Sequence, residues 1–227
     1  MTETTIRHKN QLGYGIYTAP DIARLLGLPT QKVTRYLKKY WDEKLGQGTF
    51  GDNYSWQSEN GKTKAVNFYV LIELHTFFQL QDLGVKPKTI LAARQAIANE
   101  TGLNYPFATS EILSDGRKIW YQLQDAIVNA DRTRQTNFIE IIAQFTKKID
   151  FDASNKAQKF FPQGKNSEVV VNPHHQFGQP VINGTNIHAE NLYLMYKSGE
   201  TVEFISHLYD LSPKSVNDAI NFYKKAA

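Results

Sequence analysis

Near the start of the chain, Ile22, Leu25 and Leu26 recur at the spacing of one helix face, leaving Asp21 and Arg24 on the wet side. Thr18 is placed to cap that helix, with Pro20 in its first turn and Asp21 three residues after the cap. Gly27-Leu28-Pro29 ends it, since glycine takes the left-handed conformation and proline cannot continue the ladder. Thr30 is expected to cap a second short helix. In it Val33 and Leu37 face inward, against Leu25 and Leu28, while Gln31, Lys32, Thr34, Arg35, Lys38 and Lys39 stay outside.

The pattern then changes. Tyr54 and Trp56 fall in a strand-like run before Glu59-Asn60-Gly61, and Lys62 and Lys64 lie on the returning strand, which predicts a hairpin. Such a hairpin is either a basic wing beside the two helices or a plain solvent loop. Phe68 to Leu83 is a strongly apolar helix closed by Gly84, and Lys88 to Thr101 is another, apolar at Ile90, Leu91, Ala93, Ala96 and Ile97. These two complete a core or form a dimer interface. A second hairpin is expected at Ile112 to Leu123 around Ser114-Asp115-Gly116, with short β-prone runs at Gln158 to Phe161 and Glu168 to Val171. Phe138 to Ile149 fits helix or strand equally. Further on, Glu200 to Leu208 predicts a helix burying Val202, Ile205 and Leu208, then a turn at Tyr209-Asp210-Leu211. Ser212 caps the last helix and Pro213 starts it; Val216, Ala219, Ile220 and Tyr223 face the core, with Ser215, Asn217, Asp218 and Asn221 outward.

Charge sharpens the reading of the first two helices. Of the net +4 of the 227 residues, all sits in residues 1–50, where eight Lys/Arg face four Asp/Glu; the remainder balances. Long donors on a short rigid rod suit the major groove of double-stranded DNA. The expected DNA contacts are Thr30, Gln31, Lys32, Thr34, Arg35, Lys38 and Lys39, with Lys62 and Lys64 from the hairpin. The last two helices carry no cationic face; that unit binds a protein, pairs with itself or reads bases through amides.

Other chemistries find little support. There are no cysteines, so neither disulfides nor a thiolate metal site is possible. His174, His175, His188 and His207 cluster in one region, but adjacent histidines diverge in extended chain and no ligand spacing completes them. Asp150 and Asp152, beside Lys147 and Lys148, read as a solvated loop, and Trp120 and Tyr121 as packing residues. Nucleotide-binding loops, serine elbows and zincin motifs are missing. No enzyme, catalytic residue, metal or cofactor is expected. A signal peptide and an apolar run of membrane-spanning length are also missing, which points to the cytoplasm and no membrane contact.

Two stretches resemble known families. Tyr17-Thr18, Ile22-Ala23-Arg24-Leu25-Leu26-Gly27-Leu28, Arg35-Tyr36 and Leu83-Gly84-Val85 before Ile90 are similar to the N-terminal region of MerR-type regulators. That resemblance implies a recognition helix whose Arg35 and Tyr36 touch the DNA backbone. No heptad run follows residue 100, so the long dimerising helix of those regulators is not expected. Val171-Asn172-Pro173 and Gly178-Gln179-Pro180-Val181-Ile182-Asn183-Gly184-Thr185-Asn186-Ile187 resemble domain of unknown function four-hundred-and-thirty-three, with Gly199, Ile205, Tyr209, Leu211, Val216 and Ala219 in step. Asn172 and Asn186 stand where that family usually has an aspartate and an arginine. This second resemblance implies an antitoxin of VapB type.

The fold expected is mainly α with some β. It comprises a winged helix-turn-helix over 1–104, a β-rich connector over 105–168 and a trihelical, helix-turn-helix-like unit over 169–227. The function expected is that of a type II antitoxin: a homodimer on operator DNA that represses its own promoter and neutralises a PIN-like ribonuclease toxin by direct contact. A transcription regulator without a toxin is the alternative, and an interaction adaptor a third.

Overall fold

The computed structural model of the protein describes residues 15–45, 55–57, 64–109 and 147–225. The first part runs β1 (Tyr17–Thr18), α1 (Ala19–Leu26), α2 (Thr30–Tyr36), a π-helical continuation Leu37–Leu45, β2 (Ser55–Gln57), β3 (Lys64–Val66), α3 (Phe68–Asp82), α4 (Pro87–Thr101) and a 3-10 turn Pro106–Ala108. From residue 147 on come β4 (Ile149–Phe151), β5 (Ala157–Phe160), β6 (Val169–Val170), a 3-10 turn Gln176–Gly178, β7 (Val181–Ile182), α5 (Ala189–Lys197), α6 (Val202–Tyr209) and α7 (Pro213–Lys225). Among the described residues no helix is long and apolar enough to cross a membrane.

The expected hairpin strands are antiparallel, with Trp56 opposite Ala65, and β1 joins them through Tyr17 opposite Val66, giving the order β1-β3-β2. Its turn at Glu59-Asn60-Gly61 and Lys62 lie outside the described residues, as do the expected hairpin at Ile112 to Leu123 and nearly all of Phe138 to Ile149. The π-helical continuation carries α2 on through Trp41. Its wide winding sets residues five apart on one face, so Tyr36 and Trp41 both enter the core.

α3 is buried nearly all round, from Phe68 to Leu80, which is why its apolar residues follow no single stripe. Asn67 caps it by accepting the Val70 N–H at 2.9 Å. Within that apolar helix, Glu73 is fully buried and forms a 2.5 Å ion pair with Arg94 of α4, itself only 1% exposed. The other Glu73 oxygen accepts the Phe107 N–H at 2.9 Å, and Arg94 also donates to the Asn104 carbonyl. One buried pair therefore locks α3, α4 and the 3-10 turn together.

A single apolar cluster continues from Ile22, Val33 and Phe77 through Phe160 and Val169 to Leu192, Ile205 and Ile220. The His75 ring meets Phe160 at 5.0 Å between centroids, and Phe160 bridges to Val171, so the β4–β5 hairpin ties the two ends together.

In the last three helices two expectations are corrected. Leu208 is 55% exposed instead of buried. The inner face of α6 follows Val202, Ile205, Ser206 and Tyr209, and that period turns Phe204 and Leu208 outward. Ser215, expected outside, is buried; its hydroxyl meets that of Ser212 at 2.8 Å, and its N–H is capped by Ser212 at 3.1 Å. Val216, Ala219, Ile220 and Tyr223 are buried as expected.

Candidate nucleic-acid interface

α1 is started by a reciprocal cap. The Asp21 carboxylate accepts the Thr18 N–H at 2.9 Å and its hydroxyl at 2.5 Å, while the Asp21 N–H donates back to the Thr18 oxygen at 3.4 Å. Gly27, at φ 65°, ends the helix, and the Leu28 N–H returns to the Ala23 carbonyl at 2.8 Å. The chain re-enters a helix at Pro29, not Thr30. Pro29 holds extended backbone and offers its carbonyl to the Lys32 and Val33 amides, so the fixed proline ring, and not a threonine hydroxyl, sets the entry.

Thr30 becomes the first residue of α2, exposed, with its carbonyl accepting the Thr34 hydroxyl at 3.0 Å. Val33 and Leu37 are buried as expected. Thr30, Gln31, Thr34, Arg35, Lys38 and Lys39 are exposed, and Lys32 is half-buried. Three cations rest on rings of the aromatic layer beneath. Lys32 Nζ lies 4.9 Å from the Phe78 centroid, Arg35 Cζ 5.6 Å from Tyr36, and Lys39 Nζ 5.3 Å from Tyr40. Each such contact is worth about 0.5–1 kcal/mol at the surface and narrows the arc the charge sweeps.

Tyr36 departs from its expected role. Only 8% of it is exposed, its ring packs against Tyr40, Phe77 and Phe78, and its hydroxyl accepts from the Gln81 amide. The apolar face of α2 claims the residue, because Tyr36 stands three positions after Val33. Lys64 pairs with Asp42 of the π-helical continuation, which offsets its charge. Lys62 lies outside the described residues.

The outer face of α1 is also not wet. Arg24 is half-buried against the ring of Tyr223 on α7. Beside it the buried Tyr17 ring reaches Gly178, where an added Cβ would overlap the tyrosine hydroxyl. Gly178 sits at φ 79°, a conformation that side chains disfavour, so both space and backbone require glycine. The Asp150 carboxylate pairs with Lys165 at 2.5 Å, and Asp152 accepts the Ser154 and Lys156 amides at 2.8 and 2.9 Å; both acids shape a loop. Thr185 ties its loop, donating to the Ile182 carbonyl at 2.9 Å and accepting the Ile187 N–H at 3.1 Å.

The Glu73–Arg94 pair and the contact of α1 with α7 lie beyond the sequence expectations. An acid inside a mostly apolar helix is the available clue to the first. The second has none, since residues 24 and 223 are linked only through the tertiary fold.

Residues 169–223 match the family described as "Protein of unknown function (DUF433)". The chain is 21% identical over 174 residues to "Putative antitoxin VapB45" of Mycobacterium tuberculosis (strain ATCC 25618 / H37Rv), covering 71% of this chain and 72% of that protein. Its fold is similar to the crystal structure of Rv2018 from Mycobacterium tuberculosis, with a TM-score of 0.71 at 20% identity, over 90% of this chain and 96% of that one. The likeness therefore spans both ends of the chain and shows a shared fold.

Proposed function

We propose that the protein is the antitoxin of a type II toxin–antitoxin pair. α1 and α2 act as a MerR-like helix-turn-helix, with the β2–β3 hairpin beside it as a wing. α2 lies along the operator, Lys32, Arg35 and Lys38 contact phosphates or bases, and Thr30, Gln31, Thr34 and Lys39 complete the surface. The exposure of Arg35, Lys38 and Lys39, with Lys32 half-buried beside them, carries the reading. A homodimer on a palindrome suits a short rod, because one seven-residue helix reads only a few base pairs.

The last three helices engage the toxin. Phe204 and Leu208 stand one turn apart on α6, 48% and 55% exposed, an apolar pair of the kind that anchors a protein interface. By the resemblance to VapB-type antitoxins the partner is a PIN-like ribonuclease, held by direct contact. The relative bearing that antitoxin name supports a regulatory role over a catalytic one.

The test has two arms. Gel shift against the protein's own promoter at fixed salt reads DNA binding. Co-expression with the adjacent reading frame and pull-down reads the toxin. A shifted promoter without a captured partner would favour a stand-alone regulator; neither result would remove both readings.

A further inference from the structure

Where α1 meets the last helix, a cleft of about 300 Å³ opens at the surface. Its wall carries Arg24 from α1, Lys148 from the approach to β4, and Lys225 from the end of α7, with Pro162, Gln163 and Phe222 between them. Three cationic residues from remote parts of the chain thus line one cavity, and no carboxylate lines it among the described residues.

Of the nearby acids, Glu190 acts on the Tyr223 phenol and does not line the cleft, and two others are held by hydrogen bonds. Asp21 is held by Thr18, and Asp218 by the Glu168 N–H at 3.0 Å and Lys214 at 2.8 Å. The Lys148 ammonium donates to the Pro162 carbonyl at 3.0 Å, and its geometry leaves two further N–H bonds to offer. Burial lowers the pKa of Lys148, so a counter-charge in the cleft would favour its protonated form. The backbone of Gly27 borders the same space, and 300 Å³ falls at the small end of ligand-pocket sizes.

We infer that the cleft bounded by Arg24, Lys148 and Lys225 is a binding site for a phosphate-class anion at the seam between α1 and α7. The anion would bridge the two ends of the chain, adding charge-assisted hydrogen bonds to a contact now made by Arg24 on Tyr223. Two sources share that chemistry. One is a free phosphorylated molecule; the other is the backbone of a duplex reaching past the Gly27 turn.

Pyrophosphate is the probe for the first source, titrated by calorimetry and thermal unfolding at constant ionic strength with chloride as the control. Saturable binding is expected, weakened at least fivefold in Lys225→Gln, an exposed position that leaves the fold intact by circular dichroism. Lys148→Gln, which retains a donor for Pro162, should weaken it similarly. For the second source, a random duplex is titrated across salt. Loss of about one from the slope of log affinity against log salt in Lys225→Gln, without pyrophosphate binding, assigns the site to the backbone of DNA. Pyrophosphate that fails to saturate, with an unchanged duplex slope in both variants, overturns the site. The pyrophosphate arm does not depend on the operator reading.

Discussion

Arg24 of α1 lies with its guanidinium carbon 5.2 Å from the centre of the Tyr223 ring on α7, joining residues 199 positions apart. The pair fixes how the first helix sits on the last one. Burial, followed by the charge of Glu190, pushes the Tyr223 phenol up to about 12, with Arg24 pulling the other way. A phenol that holds its proton more tightly when folded adds stability that is fully present below pH 10. That stability is lost as pH rises toward 12, and amounts to at most about 2–3 kcal/mol. Denaturant unfolding between pH 9 and 12 should show the loss. Arg24→Gln should move the phenolate absorbance of Tyr223 to still higher pH, with Tyr223→Phe identifying its contribution. A phenol that ionises at the usual 10 in the wild-type protein would dismiss the relationship.

The Tyr17–Gly178 contact predicts a second effect on the same seam. Gly178→Ala places a methyl on the tyrosine hydroxyl at a positive φ, and should lower stability by about 1–3 kcal/mol. Tyr17→Phe should be neutral or stabilising, because that hydroxyl is buried with no hydrogen-bond partner among the described residues and its removal relieves the cost of burial. Thermal unfolding of the two variants reads both signs. A destabilised Tyr17→Phe would show that the hydroxyl makes a contact that contributes to stability.

Glu73 and Arg94 predict a third. Arg94→Met leaves a carboxylate inside the apolar wall of α3, and should cost about 3–5 kcal/mol. Glu73→Leu combined with Arg94→Met should recover much of that loss, since a matched apolar pair needs no desolvation of charge. Urea unfolding of the single and double variants gives the coupling. Equal losses in both would mean that the helices depend on the pair for alignment and not only for charge balance.

What was legible in the sequence was set locally. The Thr18–Asp21 cap, the Gly27 stop, and the inward Val33 and Leu37 each depend on residues within a few positions. The exposed row on α2 was equally legible, since helical phase alone assigns it. The outward role of Tyr36 rests on a family resemblance, whereas its place three residues after Val33 puts it on the inner face. Arg24 looked wet because only the folded chain brings Tyr223 to it, and Leu208 looked buried because the inner face of α6 turns on Ser206. Misreadings thus arose where distant packing overrode a sound local pattern.

The exposed pair on α6 predicts a separable loss. Leu208→Asp and Phe204→Asp should leave operator affinity unchanged and abolish toxin capture, because neither side chain supports the core. Truncating a central interface anchor typically costs 2 kcal/mol or more, which is roughly a thirtyfold weakening. Paired gel shift and pull-down distinguish the outcomes. Retained capture by both variants would move the toxin surface elsewhere on the chain.

On α2 the prediction turns on two cations in different settings. Arg35 rests on the Tyr36 ring, so its guanidinium is pre-positioned; Lys38, one position further along the exposed row, is free to follow a phosphate. If Arg35 reads a base, Arg35→Ala weakens the operator by about 1–3 kcal/mol and relaxes preference at one position. Lys38→Ala should instead weaken all duplexes alike and reduce the salt slope by about one. Tyr36→Phe should change neither, since its hydroxyl faces Gln81 inside the protein, and serves as the control for the aromatic layer. Binding measured at three salt concentrations on operator and random duplex separates these effects. Unchanged affinity and slope in both Arg35→Ala and Lys38→Ala would take α2 out of the DNA interface.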